Sequence, residues 1–79
     1  MKVKILFFAQ SKEIIGKDRM ELEIQGGETT SSMLKKLQSQ FHDLATIQIM
    51  VAVNNEYIEN DRELHDGDEV AIIPPVSGG

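Results

Sequence analysis

Seventy-nine residues define one small domain, which buries only about 60–65% of the surface its unfolded chain exposes. Without cysteine the chain can form no disulfide and no thiolate metal site, and it has no thiol nucleophile. The net charge of −5 is lopsided: residues 1–36 hold seven bases and five acids, whereas residues 37–79 set Arg62 alone against eight acids, seven of them between Glu56 and Glu69. Nucleic acid is a poor partner for such a surface, because phosphates demand lysine and arginine. A solvated acidic face accounts for it most simply. Complementarity to a basic protein is the sharper alternative, and would speed association more than tighten it.

Residues 2–9 read as a strand, with Val3, Ile5 and Phe7 on one face and Leu6 and Phe8 on the other. A strand apolar on both faces is central, or is covered by a partner. The apolar run within it is too short for a signal-peptide core or a membrane span, so no membrane is expected and a cytoplasmic location is. Residues 10–16 suit a short helical turn that ends at Gly16. Residues 19–25 alternate cleanly: Met20, Leu22 and Ile24 face inward while Glu21 and Glu23 face outward, as in a half-buried antiparallel strand.

After Gly26-Gly27, Thr29 or Thr30 can cap a helix running to about Phe41, with Met33, Leu34, Leu37 and Phe41 on its inner stripe. Residues 49–53 read as a short buried strand. Asn54-Asn55 turns the chain into a brief strand near Tyr57-Ile58. Asp66-Gly67-Asp68 forms another turn, and residues 70–73 are the last strand. The order predicts an α+β domain: a mixed sheet of about five strands with one main helix on one face.

Chemistry is scarce along this chain. His42 and His65 lie in polar, turn-like stretches with no recognisable nucleophile. Asp66-Gly67-Asp68 lacks the ligand spacing and closing glutamate of a calcium loop, and Gly26-Gly27 lacks the lysine and hydroxyl of a phosphate loop. No metal and no bound cofactor are expected. What remains is the segment Ile73-Pro74-Pro75-Val76-Ser77-Gly78-Gly79. Pro74-Pro75 fixes two φ angles and removes two donors, so residues 74–79 are expected to protrude as an extended tail. Gly78 and Gly79 make that tail thin enough for a channel that excludes any Cβ. Its α-carboxylate, anionic at neutral pH, must be activated before it can react.

Several segments resemble the molybdopterin synthase small-subunit, or sulfur-carrier, family. They are Leu6-Phe7-Phe8-Ala9 with Glu13 and Gly16, then Val51-Ala52-Val53-Asn54, then Asp66-Gly67-Asp68-Glu69-Val70-Ala71, and above all Pro74-Pro75-Val76-Ser77-Gly78-Gly79. The likeness runs end to end. Lys12 stands where the family often has arginine, and Thr30-Ser31-Ser32 is a more polar helix start than usual. The resemblance implies a ubiquitin-like β-grasp fold over residues 1–79. It also implies that a ubiquitin-activating-enzyme-like adenylyltransferase uses ATP to adenylate Gly79, and that sulfur from a donor protein's persulfide converts it to a thiocarboxylate. The sulfur then passes to cyclic pyranopterin monophosphate within a heterotetramer of two small and two large subunits.

The docking surface for such partners is expected around Phe8, Tyr57 and Ile73, on the sheet face opposite the helix, with Pro74, Pro75, Val76 and Ser77 continuing it. Three other readings remain open. One is a thiamine-pathway carrier, which generally lacks the Pro-Pro-Val-Ser lead-in. The others are a protein modifier that forms isopeptide bonds through Gly79, and a passive interaction module.

Overall fold

Alternation and capping place most elements where the sequence puts them. The computed structural model describes residues 1–75. In chain order the elements are β1 (Lys2–Phe7), α1 (Gln10–Ile15), β2 (Arg19–Glu23), α2 (Thr30–Gln40), a 3-10 turn (His42–Thr46), β3 (Met50–Val53), β4 (Glu56–Tyr57) and β5 (Glu69–Ile73). The strands form one sheet in the order β2-β1-β5-β3-β4. β1 and β5 are parallel, and the other neighbours are antiparallel. This is the mixed five-stranded sheet with one main helix that was expected, and its topology is that of a β-grasp.

Register sorts the side chains. Ile5 lies opposite Met20 and Val70, Phe7 opposite Ile72, and Val53 opposite Val70, so these residues share one face. Met33 and Leu37 of α2 complete the core against them, all fully or almost fully buried except Met20, which is half-buried. Each such side chain contributes roughly 1.5–3 kcal/mol by leaving water. Leu44, from the 3-10 turn, and Leu64, from the connection between β4 and β5, are also fully buried. Leu64 is held there because that connection runs along the start of α2: its N–H donates to the Glu28 carbonyl at 2.8 Å, and the Thr30 N–H donates to the Arg62 carbonyl at 2.9 Å.

The start of α2 explains its run of hydroxyls. Thr29 is the N-cap, its Oγ1 accepting from the Ser32 N–H at 3.3 Å. The first turn of α2 contains no acid of its own, so two carboxylates from outside serve its exposed donors. Asp61 Oδ1 accepts from the Ser31 N–H and the Thr30 hydroxyl, both at 2.8 Å. Glu28 accepts from the Gln25 N–H at 3.0 Å, from the Ser32 hydroxyl at 3.3 Å and from Lys36 Nζ at 2.9 Å.

Three expectations need correction. β1 stops at Phe7, two residues early, because the chain turns sharply at Ala9, whose φ of 52° leaves the strand region. Met50 is 41% exposed, although the apolar run 49–53 reads as a buried strand; it faces away from α2, opposite Ile73. Ile24 and Gln25 fall outside β2, yet Ile24 still enters the core.

Candidate functional site

The sheet face turned away from α2 divides into two zones. Towards β2 it is charged: Lys2 lies opposite Glu23, Lys4 between Glu21 and Glu69, and Arg19 opposite Leu6. Towards β4 it is apolar, with Leu6, Ala71, Ala52 and Tyr57 forming one row across four strands. The next row, nearer the exit of β5, pairs Ile73 with Met50. Two alanines stand in the middle of this row between Leu6 and Tyr57, and Ala52 is itself buried. Tyr57 is 63% exposed and Met50, two residues from its partner Ala52, 41%, while Phe8, also exposed, lies beyond the end of β1, three strands from β4. Exposed large side chains grouped beside one another mark an interaction surface more than isolated ones do.

β5 is the middle strand of the sheet, so the chain reaches Pro74 from a strand paired on both sides. Pro74 is half-buried and Pro75 exposed. The structure therefore brings Tyr57, Ile73 and Pro74 to the open face or its rim. Phe8 lies just beyond β1, at the turn formed with Ala9, and is not a strand residue. Val76, Ser77, Gly78 and Gly79 lie outside the described residues.

Sequence reasoning placed Leu6 on this face and missed Met50, Ala52 and Ala71. The double-sided apolarity of residues 2–9 carried the placement of Leu6. For Met50 there was no such signal, because an uninterrupted apolar run does not say which face is covered.

At the opposite end of the sheet, a polar cluster holds two turns together. Asn54 and Asn55 both have positive φ, as a tight hairpin requires. Asn54 donates to Asp68 Oδ1 at 3.0 Å and accepts from the Glu69 N–H at 3.0 Å. The Asn54 hydrogen bond, with the His65 N–H, holds the Asp68 carboxyl below its ordinary range against the opposing effect of burial. Asp61 is pulled down to about 2, chiefly by the Ser31 N–H and then by the Thr30 hydroxyl. Burial works to raise Glu28, but Lys36, the Gln25 N–H and Ser32 together outweigh it and leave it lowered. All three carboxylates act as structural acceptors, away from the apolar row. Among the described residues no group of three or more His, Asp or Glu side chains could hold a metal ion, and no helix is long and apolar enough to cross a membrane.

A five-stranded sheet grasping one helix, with the chain leaving its middle strand beside an exposed apolar face, defines a ubiquitin-like β-grasp domain. The chain belongs to the ThiS family, which it matches over residues 5–79. It is 43% identical over 81 residues to the molybdopterin synthase sulfur carrier subunit of Dictyostelium discoideum, covering 96% of this chain and 94% of that protein. Among solved structures it resembles a putative molybdopterin converting factor, subunit 1, from Pyrococcus furiosus, with a TM-score of 0.89 and 28% identity over 96% of this chain and 99% of the other. It also resembles the small archaeal modifier protein 1 of Methanosarcina acetivorans, with a TM-score of 0.82 and 28% identity over 99% and 96% of the two chains.

Proposed function

We propose that this chain is the sulfur carrier of a molybdopterin synthase, with Gly79 as its reactive residue. The observation that carries the reading is the placement of β5: the central strand runs out into Pro74-Pro75 beside the apolar face formed by Leu6, Ala71, Ala52, Tyr57, Met50 and Ile73. A body that docks through this face presents whatever follows Pro75 to its partner. The full-length likeness to a named sulfur carrier subunit supports the same reading.

In this proposal an adenylyltransferase joins the Gly79 carboxylate to AMP and releases pyrophosphate from ATP. A persulfide on a donor protein attacks the acyl carbon and AMP leaves. A thiol then attacks the donor cysteine's own sulfur in the resulting acyl disulfide, forming a disulfide with the donor and leaving the persulfide's outer sulfur on Gly79 as the thiocarboxylate. The large synthase subunit receives Gly78 and Gly79 and directs the sulfur to cyclic pyranopterin monophosphate, two carriers serving each product in a cytoplasmic heterotetramer. The chain itself holds no cofactor and is not catalytic alone.

The physics favours this division of labour. A tethered thiocarboxylate reaches a closed pocket at high effective concentration. Ordering each tail residue costs about 1–2 kcal/mol, which Pro74-Pro75 reduces by fixing φ in advance. The docked face supplies the rest.

Reconstitution with the activating enzyme, ATP, a sulfur source, the large subunit and cyclic pyranopterin monophosphate tests the proposal. Molybdopterin should form with the full chain and not after removal of Gly78-Gly79. Formation without those residues would overturn it. The likeness to a small archaeal modifier favours a second reading, in which Gly79 is joined to lysines of other proteins. Isopeptide-linked Gly79, with no thiocarboxylate at any stage, would establish that reading instead.

A further inference from the structure

Ser11 is wholly buried, yet it belongs to the six-residue α1 at the sheet's edge of contact rather than to the apolar core. Its surroundings show why. The parallel ladder between β1 and β5 is set by the Lys4 N–H donating to the Asp68 carbonyl at 2.9 Å. Parallel rungs recur every two residues along both strands, so the rung due at the top of the ladder would run from the Phe8 N–H to the Ile72 carbonyl. That rung is not made directly. The Phe8 N–H donates to Ser11 Oγ at 3.0 Å, and Ser11 Oγ lies 3.0 Å from the Ile72 carbonyl oxygen.

The hydroxyl has one proton and two carbonyls within reach, the other being that of Phe8 at 2.8 Å. Phe8's carbonyl already accepts from the Ser11 N–H at 3.1 Å. Ile72's carbonyl has no such alternative among the described residues. The Asn54 N–H donating to the Glu69 carbonyl fixes which β5 residues bond β3, and by alternation Ile72 turns its polar groups to β1. An unpaired carbonyl there would be buried.

We propose that Ser11 is a positioning residue, whose hydroxyl stands in the final β1–β5 rung and sets the spacing between Phe8 and Ile73-Pro74. By occupying the rung it parts the two strands by the width of one oxygen, and β1 leaves the sheet at Phe7. Phe8 is then carried out on the Ala9 turn, at φ 52°, while Ile73 stays paired with Met50. The two residues flanking the start of the tail are thus held at a distance set by a side chain that neither contacts a partner nor enters the chemistry. This inference rests on the sulfur-carrier reading for its functional consequence, and not for its geometry.

Ser11→Ala, compared with Thr29→Ala as a destabilised control remote from this end, tests it. Amide exchange at Phe8 should accelerate roughly tenfold in Ser11→Ala and stay unchanged in the control. Titration with the large subunit, well below both melting temperatures, should show roughly five- to tenfold weaker binding for Ser11→Ala and binding within twofold of the parent for Thr29→Ala. Undiminished protection at Phe8 would mean that the backbone closes the rung unaided, and would overturn the proposal. So would equal losses of binding in the two variants. If the parent chain itself neither bound the large subunit nor gained sulfur, the carrier reading would fall, while the exchange result would still decide the role of the hydroxyl.

Discussion

Tyr57→Ala removes the largest exposed side chain of the open face with little to lose from the fold. Tyr57 is 63% exposed and sits on the two-residue edge strand β4, opposite Ala52. Taking roughly 200 Å² for a tyrosine, roughly 130 Å² is free to be covered by a partner. At about 25 cal/mol per Å² this sets an upper bound of about 3 kcal/mol on its contribution to docking. The retained Cβ and the entropy of fixing the ring reduce the figure, so truncation should cost about 1–2 kcal/mol, or roughly 5- to 30-fold in affinity. Stability should fall by less than about 1 kcal/mol, because no aromatic pair is broken across the strands. Calorimetric titration against the large subunit, with thermal melts of both chains, checks this. A folded Tyr57→Ala chain that bound within twofold of the parent would refute the assignment of this face as the docking surface.

The remaining predictions concern the fold. Asp61 and Asp68 have carboxyls lowered by their hydrogen bonds, Asp61 to about 2. Their stabilisation is therefore complete above the unfolded carboxyl range of about 4 and is lost as pH falls from about 5 towards 2. Urea midpoints measured across that window should decline, and Asp61→Asn should flatten the decline; an unchanged slope would count against the capping role. Leu64→Ala, at a site with no exposure, should cost about 2–4 kcal/mol in chemical denaturation, and a loss below about 1 kcal/mol would show that Leu64 is not a core residue. Ala9→Gly should stabilise the chain by up to about 1 kcal/mol, since φ 52° with ψ −124° is readily adopted only by glycine; a lowered melting temperature would contradict this.

Much of this architecture follows from local pattern. Met20 and Leu22 alternate with Glu21 and Glu23, and Met33 and Leu37 recur at helical spacing, so each element declares its inner face before any partner is known. Tyr57 and Ile73 fall on the open face by the same parity. What the pattern could not show depends on residues distant in sequence. Leu64 stands alone among Arg62, Glu63 and His65, without a period, and becomes core only because the connection is tied to α2. Asp61 looks like one more solvated acid until the helix start that it serves is placed beside it. The early end of β1 comes with the turn at Ala9, where the Phe8 N–H donates to a hydroxyl of the following helix, and the alternation of residues 2–9 does not announce it. The proposal of a reactive tail rests on Pro74, Pro75 and the glycines together with the family likeness, because Val76 to Gly79 lie outside the described residues.

The central claim is that Gly79 carries sulfur, and intact-mass measurement tests it most directly. After incubation with the activating enzyme, ATP and a sulfur source, the chain should gain about 16 Da, one oxygen replaced by one sulfur, with the increment confined to the peptide ending in Gly78-Gly79. An unchanged mass, or the increment on any other peptide, would contradict the account.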